Sequence, residues 1–319
     1  MLLKKNHVVA IDIDDIKIKL IYLKQYRGKY ELIETISLET PPDTVINGII
    51  LEPQILGERI GELVRDYKLT GKKTITAVSG SQIYIKNLLM PKMKHTDLRQ
   101  AVQFEATKFL PVPVPEMVID IFPLKNTVTE NGLKTELFFV AIRRQQIENL
   151  EKCLKIANLN LKIIDLKPLA INRIIANPKN YSVKALLNIE ASRSDFSILN
   201  GENLLFYHPF GLGYLDLDKD VEEDHDNYKQ EIINEVVRSL EYYNNEYQMY
   251  PETIIITGYS QIDNVSKLQQ LIKDNIFDNV QIGEVNSNLV NPHKISEFPS
   301  PQFQTEYMLT LGLAIRGGL

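Results

Sequence analysis

Two short runs of mostly apolar residues, each broken by a polar turn, open the two halves of the chain. Residues 8–23, Val-Val-Ala-Ile-Asp-Ile-Asp-Asp-Ile-Lys-Ile-Lys-Leu-Ile-Tyr-Leu, read as a strand, a tight turn and a second strand. Residues 185–199, Ala-Leu-Leu-Asn-Ile-Glu-Ala-Ser-Arg-Ser-Asp-Phe-Ser-Ile-Leu, read the same way. A hairpin used twice predicts two lobes with a ligand cleft between them.

The pattern around these hairpins alternates strands and helices, which predicts an α/β architecture. Residues 30–38 extend the first hairpin to three strands. Leu56, Ile60, Leu63 and Tyr67 recur at helical spacing over about 54–68, and Thr70-Gly71 ends that helix. Strands are expected at 74–79 and 83–89. From Pro91 to about 161 the texture changes, and an inserted subdomain is expected. It holds a helix over 97–110 stopped by Pro111, Pro113 and Pro115, strands at 118–124 and 135–142 joined by a turn at Asn131-Gly132, and a helix over about 145–157. A strand at 162–166 and a short apolar helix lead to Asn177-Pro178-Lys179-Asn180, the best boundary between lobes. The expected domains are thus 1–180 and 181–319. In the second, strands at 204–210 and 253–257 enclose Gly211-Leu212-Gly213, an acidic run over 216–226 and a helix over about 228–247. The turn Gly258-Tyr259-Ser260, a helix through Leu268, Leu271 and Ile272, and a closing buried helix over 307–316 follow.

Composition narrows the function classes. A chain of 319 residues has room for two domains and a sizeable core. Its net charge of −5 argues against nucleic acid as a partner, because phosphate contacts dominate such binding. The single cysteine, Cys153, rules out an intramolecular disulfide, and its place among Ile147, Leu150, Leu154 and Ala157 predicts a buried thiol. Lys4 and Lys5 precede an apolar run that Asp12 interrupts, so no signal peptide is expected. No apolar stretch reaches the roughly 18–20 residues of a membrane span, so no direct insertion is expected either, and the chain reads as cytoplasmic.

Candidate metal and catalytic motifs are weak. Asp216-Leu-Asp218-Lys-Asp220 starts like a calcium loop, but Val221 stands where glycine is required and Asn227 where the last acidic ligand belongs. The histidines His7, His95, His208, His225 and His293 lack metal-ligand spacing. Asp12 and Asp14 share one face of the first hairpin and would suit either a divalent ion or a solvent-facing acidic turn. Lys17 and Lys19 share a strand face and are expected in solvent. No catalytic residue and no metal site is assigned.

Four stretches carry a family resemblance: Asp12-Ile-Asp-Asp-Ile-Lys-Ile-Lys-Leu, the insert over 97–124, the strand-to-helix step from Phe138 to Ala157, and Gly312-Leu-Ala-Ile-Arg316. In order and content they resemble the actin/Hsp70/sugar-kinase ATPase superfamily and, within it, the PilM family of type IV pilus assembly. The resemblance implies an actin-like two-lobed fold of ribonuclease-H-like lobes with a small inserted α+β subdomain. It also implies a reduced helical subdomain over about 214–250. The nucleotide positions would be Asp12, Asp14, Asp15, Lys17, Asn188, Glu190 and Gly258. The family's Gly and Ser in the first phosphate turn are Asp14 and Asp15 here, its Asp and Gly in the second are Asn188 and Glu190, and its second adenosine-turn Gly is Tyr259.

These departures predict a lost or weak ATP site. Phosphate turns need glycine so that backbone N–H groups approach closely. A carboxylate there adds repulsion of roughly 4 kcal/mol per charge pair at about 4 Å and an effective dielectric near 20. The expectation is therefore a pseudo-ATPase adaptor with no cofactor, or ATP and Mg²⁺ if the site survives. The resemblance implies a partner too: the cytoplasmic N-terminal tail of a PilN-like inner-membrane protein, alongside other pilus platform proteins. That tail would lie in a groove offered by Ile119, Ile121, Phe138 and Val140, which would hold the chain at the inner face of the membrane. An active ATPase or small-molecule kinase is the alternative.

Overall fold

The computed structural model describes residues 6–26, 29–130, 132–176, 179–216, 222–258, 262–286, 289–291 and 300–316. Lys4, Lys5, Asn131, Asn177, Pro178, residues 217–221 of the acidic run, Tyr259, Ser260 and His293 lie outside them.

The first hairpin is β1 (Asn6–Ile13) and β2 (Lys17–Tyr26), followed by β3 (Lys29–Glu39). A small ribbon, β4 (Val45–Ile46) and β5 (Ile49–Ile50), leads into α1 (Pro53–Asp66). Pro53 starts α1 with its φ already set for a helix, and Leu56, Ile60 and Val64 form the buried stripe. The expected stripe ran through Leu63 and Tyr67 instead. Leu63 is half-buried, and Tyr67 lies just past the helix end in solvent, because the chain turns left-handed at Lys68.

Next come β6 (Lys73–Val78), β7 (Ile83–Pro91), α2 (His95–Ala106), β8 (Met117–Thr129), β9 (Gly132–Arg143) and α3 (Arg144–Ile156). Strand β10 (Asn160–Leu166) and α4 (Lys167–Ile174) close this half. The inserted unit differs in extent from the 91–161 expected. Its sheet runs β7-β9-β8 and so begins at Ile83. Helix α3 does not complete it: Leu150, Cys153, Leu154 and Ala157 are buried in the main core with α1. The insert keeps its own small core, with Leu98, Val102 and Ala106 of α2 against Leu137, Phe139 and Ala141 of β9. Cys153 is buried and free, and burial pushes its thiol pKa up to about 12.

The second hairpin is β11 (Val183–Ile189) and β12 (Ser194–Asn200), with β13 (Asn203–Phe210) beside it. Helix α5 (Glu222–Tyr247), β14 (Thr253–Thr257), α6 (Ile262–Asn275) and β15 (Val280–Ile282) complete a sheet of order β13-β12-β11-β14-β15. The chain then goes back. Strand β16 (Val290–Asn291) pairs with β3, and α7 (Pro301–Arg316) packs on β1, β2, β6 and α4. The first sheet is therefore β10-β6-β1-β2-β3-β16, and β16 and α7 group with it instead of with the second sheet.

Strand β11 joins the two cores. Its alternation sends Val183, Ala185, Leu187 and Ile189 into a core with α5 and α6, and Leu186 into the first. Lys184, Asn188 and, in the turn beyond, Glu190 continue the face that looks toward the first half. Among the described residues no helix is long and apolar enough to cross a membrane.

Two glycines give opposite expectations. A Cβ on Gly312 of α7 would lie 1.9 Å from the Ala170 carbonyl oxygen of α4, whereas one on Gly61 of α1 would lie 3.5 Å from its nearest neighbour. Gly312→Ala is expected to cost about 2 kcal/mol by forcing the helices apart. Gly61→Ala is expected to add about 0.5–1 kcal/mol by restricting the unfolded chain. Urea unfolding midpoints check both.

Candidate functional site

The turns of the two hairpins face each other across the cleft. Asp12 lies near the end of β1, Asp14 and Asp15 form the first turn, and both Asp12 and Asp14 are buried. Asn188 and Glu190 stand opposite at the end of β11 and are buried as well. Between them lies Lys167, the first residue of α4, whose side chain is only 1 % exposed. Its Nζ donates to Glu190 Oε1 at 2.5 Å and lies 3.1 Å from Asp12 Oδ1. Arg193, from the second turn, donates from Nε to Glu190 Oε2 at 3.0 Å. Both carboxylate oxygens of Glu190 are thus taken by cations of this chain.

Burial alone pushes the Glu190 carboxyl up, but Lys167 and Arg193 outweigh it and hold the pKa at about 2. Lys167 is likewise driven above the ordinary lysine range, because Asp12 and Glu190 outweigh its desolvation. Asp14 goes the other way: burial and then the charge of Glu190 raise it to about 6. Asp195 of β12 rises to about 7 for the same two reasons. Two cations therefore face the firmly ionised Glu190 and two acids, Asp14 and Asp195, that burial raises toward neutrality. The repulsion expected from Asp14, Asp15 and Glu190 left out Lys167 and Arg193, which offset the charge of Glu190 from within.

Hydrogen bonds fix the remaining positions. Asn188 donates from Nδ2 to Glu190 Oε1 at 3.3 Å and to Asp195 Oδ2 at 3.2 Å, and accepts from Thr257 Oγ1 at 3.2 Å. Asp15 does not line the cavity at all. Its carboxylate accepts from the Asn47 and Gly48 amides, both at 2.8 Å, and from Ser192 Oγ of the second turn at 2.5 Å. Lys17 points to the cleft margin, 3.6 Å from Glu306 of α7. Lys19, expected in solvent, is half-buried and lines the cavity beside Glu190. Gly258 adopts φ +87, and a Cβ there would lie 2.5 Å from Asn188 Oδ1, so this glycine lets the end of β14 close against β11.

What is left between the turns is a cavity of about 20 Å³ lined by Asp12, Asp14, Lys19, Asn188, Glu190 and Gly258 among others. That is room for about one water molecule. Among the described residues no group of three or more His, Cys, Asp and Glu is arranged to hold a metal ion. The structure brings Asp12, Asp14, Asn188, Glu190 and Gly258 together and leaves Asp15 and Lys17 to structural contacts. Sequence reasoning missed Lys167, Arg193, Ser192 and Asp195. The Glu190–Arg193 spacing inside a turn was the available signal for one of them.

A second concavity is far larger. A groove of about 1240 Å³ runs between the insert sheet, β10 with α3 and α4, and the β12–β13 turn. Ile121, Phe138 and Val140 line it, with Phe122 exposed at its rim. Ile119 does not: it packs against the insert's own core, on the face of β8 opposite to Val118, Asp120 and Phe122, which line the groove. Ile121 touches that core too. Strands β8 and β10, which flank the groove, are each the last strand of their sheet.

Comparisons with known proteins now bear on this geometry. The sequence model of the type IV pilus assembly protein PilM family matches residues 10–227, well over half of the chain. Among solved structures, the PilM-PilN type IV pilus biogenesis complex is similar with a TM-score of 0.82 at 23% identity, covering 97% of this chain and 98% of that one. The ethanolamine utilization protein EutJ from Carboxydothermus hydrogenoformans is similar with a TM-score of 0.52 at 13% identity, covering 98% and 90%. The fold is thus the actin-like one that the duplicated hairpin and insert suggested.

Asp14 and Asp195 keep their protons to higher pH in the folded chain than in the unfolded one. Between about pH 4 and about pH 7 unfolding therefore releases protons, and stability falls as pH rises through that window. The slope approaches about 1.4 kcal/mol per pH unit for each proton released. Glu190 contributes oppositely, and only as pH falls from the ordinary carboxylate range toward about 2. Asp195→Asn keeps an acceptor for Asn188 and removes one titration. Its urea midpoints are expected to fall less steeply from about pH 4 to about pH 8 than those of the parent chain.

Proposed function

The chain belongs to the PilM family of type IV pilus assembly proteins, and from that premise we propose that it is a non-catalytic adaptor of the pilus machinery. Its task is to capture the N-terminal tail of a PilN-like membrane protein, and that partner brings it to the inner face of the cell membrane. The nucleotide cleft of the fold then serves as a joint between lobes.

The observation that carries this reading is the contrast between the two concavities. The cleft retains about 20 Å³ and is filled by the Lys167–Glu190 pair, whereas the groove offers about 1240 Å³ of open, largely apolar wall. A triphosphate entering the cleft would have to break a buried ion pair, which typically costs several kcal/mol. In the groove nothing need be broken. Two unpaired sheet edges, β8 and β10, suit an extended peptide, because free N–H and C=O groups of an edge strand bind a chain in the β conformation. Apolar side chains of that peptide would settle on Ile121, Phe138 and Val140.

Calorimetric titration with Mg-ATP is expected to show no binding at concentrations on the order of 1 mM. Micromolar binding would instead favour an ATPase or kinase. Glu190→Gly strips Arg193 of its carboxylate partner and leaves Lys167 with Asp12 alone, so the variant is expected to lose about 3–5 kcal/mol of stability. Added inorganic phosphate should restore part of that loss, and thermal melts with and without phosphate read both effects. Phe138→Asp and Val140→Asp are expected to abolish capture of the membrane-protein tail in a pull-down while leaving the ATP result unchanged.

A further inference from the structure

The groove holds one feature that a purely apolar peptide would not use. Lys184 of β11 lines its second-lobe end, is 6 % exposed, and among the described residues has neither a hydrogen-bond nor an ion-pair partner. The strand's alternation turns it, with Leu186 and Asn188, toward the first half of the molecule. Leu166, Leu169 and Leu204 line the same part of the wall. The stem of Lys184 is buried while its ammonium opens onto the groove, where a bound anion would meet a cation that has no other partner among the described residues.

The neighbouring charges do not supply one. Asp165, the buried acid of the groove wall, is already taken by two arginines: Arg173 Nη2 donates to its Oδ2 at 3.0 Å and Arg316 Nη1 to its Oδ1. Asp120, Glu151 and Glu202 also line the groove but stand exposed, where water screens them. Burial pushes the Lys184 amine below the ordinary lysine range, as expected of a cation waiting for a counter-charge.

We propose that Lys184 is a specificity-determining residue of the groove, binding a carboxylate side chain of the peptide whose apolar residues rest on Phe138 and Val140. This rests on the groove being a peptide site. The occupant is therefore an extended segment carrying apolar residues and one acidic residue at a fixed distance from them. Arg173 and Arg316 stay with Asp165, whereas Lys184 has no such partner among the described residues.

The test uses the full chain and synthetic probes. A fluorescein-labelled ten-residue peptide of alternating leucine and serine is prepared with each serine in turn replaced by glutamate or by glutamine, and binding is followed by fluorescence anisotropy. One glutamate position is expected to bind about tenfold tighter than its glutamine twin, the size of a charge-assisted hydrogen bond. The gain should vanish in Lys184→Met, which keeps the apolar stem, and persist in Lys184→Arg, which keeps the charge. Equal binding of every glutamate and glutamine pair, or a gain that survives Lys184→Met, overturns the assignment of Lys184 while the groove itself stands. Absence of binding by all the peptides, with Phe138→Asp also without effect on capture of the membrane-protein tail, overturns the groove reading and this inference with it.

Discussion

One buried ion pair organises the centre of this protein. Lys167 and Glu190 come from opposite lobes, and both side chains are almost entirely buried. Such a pair adds little net stability compared with a well-packed apolar contact, yet losing either partner strands a charge in the interior. Its value lies in what it specifies. Lys167 must open α4 at one place, and the turn from Glu190 to Arg193 must present its carboxylate at that place. Asp12, Asn188 and Arg193 are then positioned around it. The Asp15–Ser192 bond repeats the crossing nearer the surface.

Strand β11 shows how one sequence serves several ends. Its odd-numbered residues are all apolar and belong to the second core. Its even-numbered residues form a graded face, with Lys184 at the groove, Leu186 in the first core and Asn188 in the ion cluster. The groove and the cleft are thus two ends of a single strand face. A ligand in one touches the backbone that supports the other, without any wall of separate elements between them.

Much of the fold was legible because it rests on local pattern. Both hairpins, α1, α3 and the buried Cys153 follow from apolar spacing and turn residues alone. The misreadings share a cause. The start of the insert at Ile83, the membership of α3 in the main core and the return of β16 and α7 to the first sheet are matters of pairing between distant segments, which periodicity does not encode. The site shows the same division. The acidic turns of Asp14 and Glu190 could be seen, but their neutralisation could not, because Lys167 precedes Glu190 by 23 residues and comes from the other lobe. Ile119 and Ile121 share one face of β8, and alternation did not say that this face meets the insert's own core.

The return of the chain to its first sheet also sets the order in which the molecule is completed as it is made. The Tyr30 hydroxyl donates to the carbonyl of Ile315, 285 residues later. Leu311, Leu313 and Ala314 are fully buried in the core that Val9, Ala10 and Ile11 begin. On the ribosome the second lobe emerges with all the strands of its own sheet while the first still lacks the helix that covers it. The first lobe is therefore the last to close, and its apolar sheet face stays open until α7 has left the exit tunnel. A chain cut before α7 would lose the cover of its first sheet, leaving a sticky surface far in sequence from the cut.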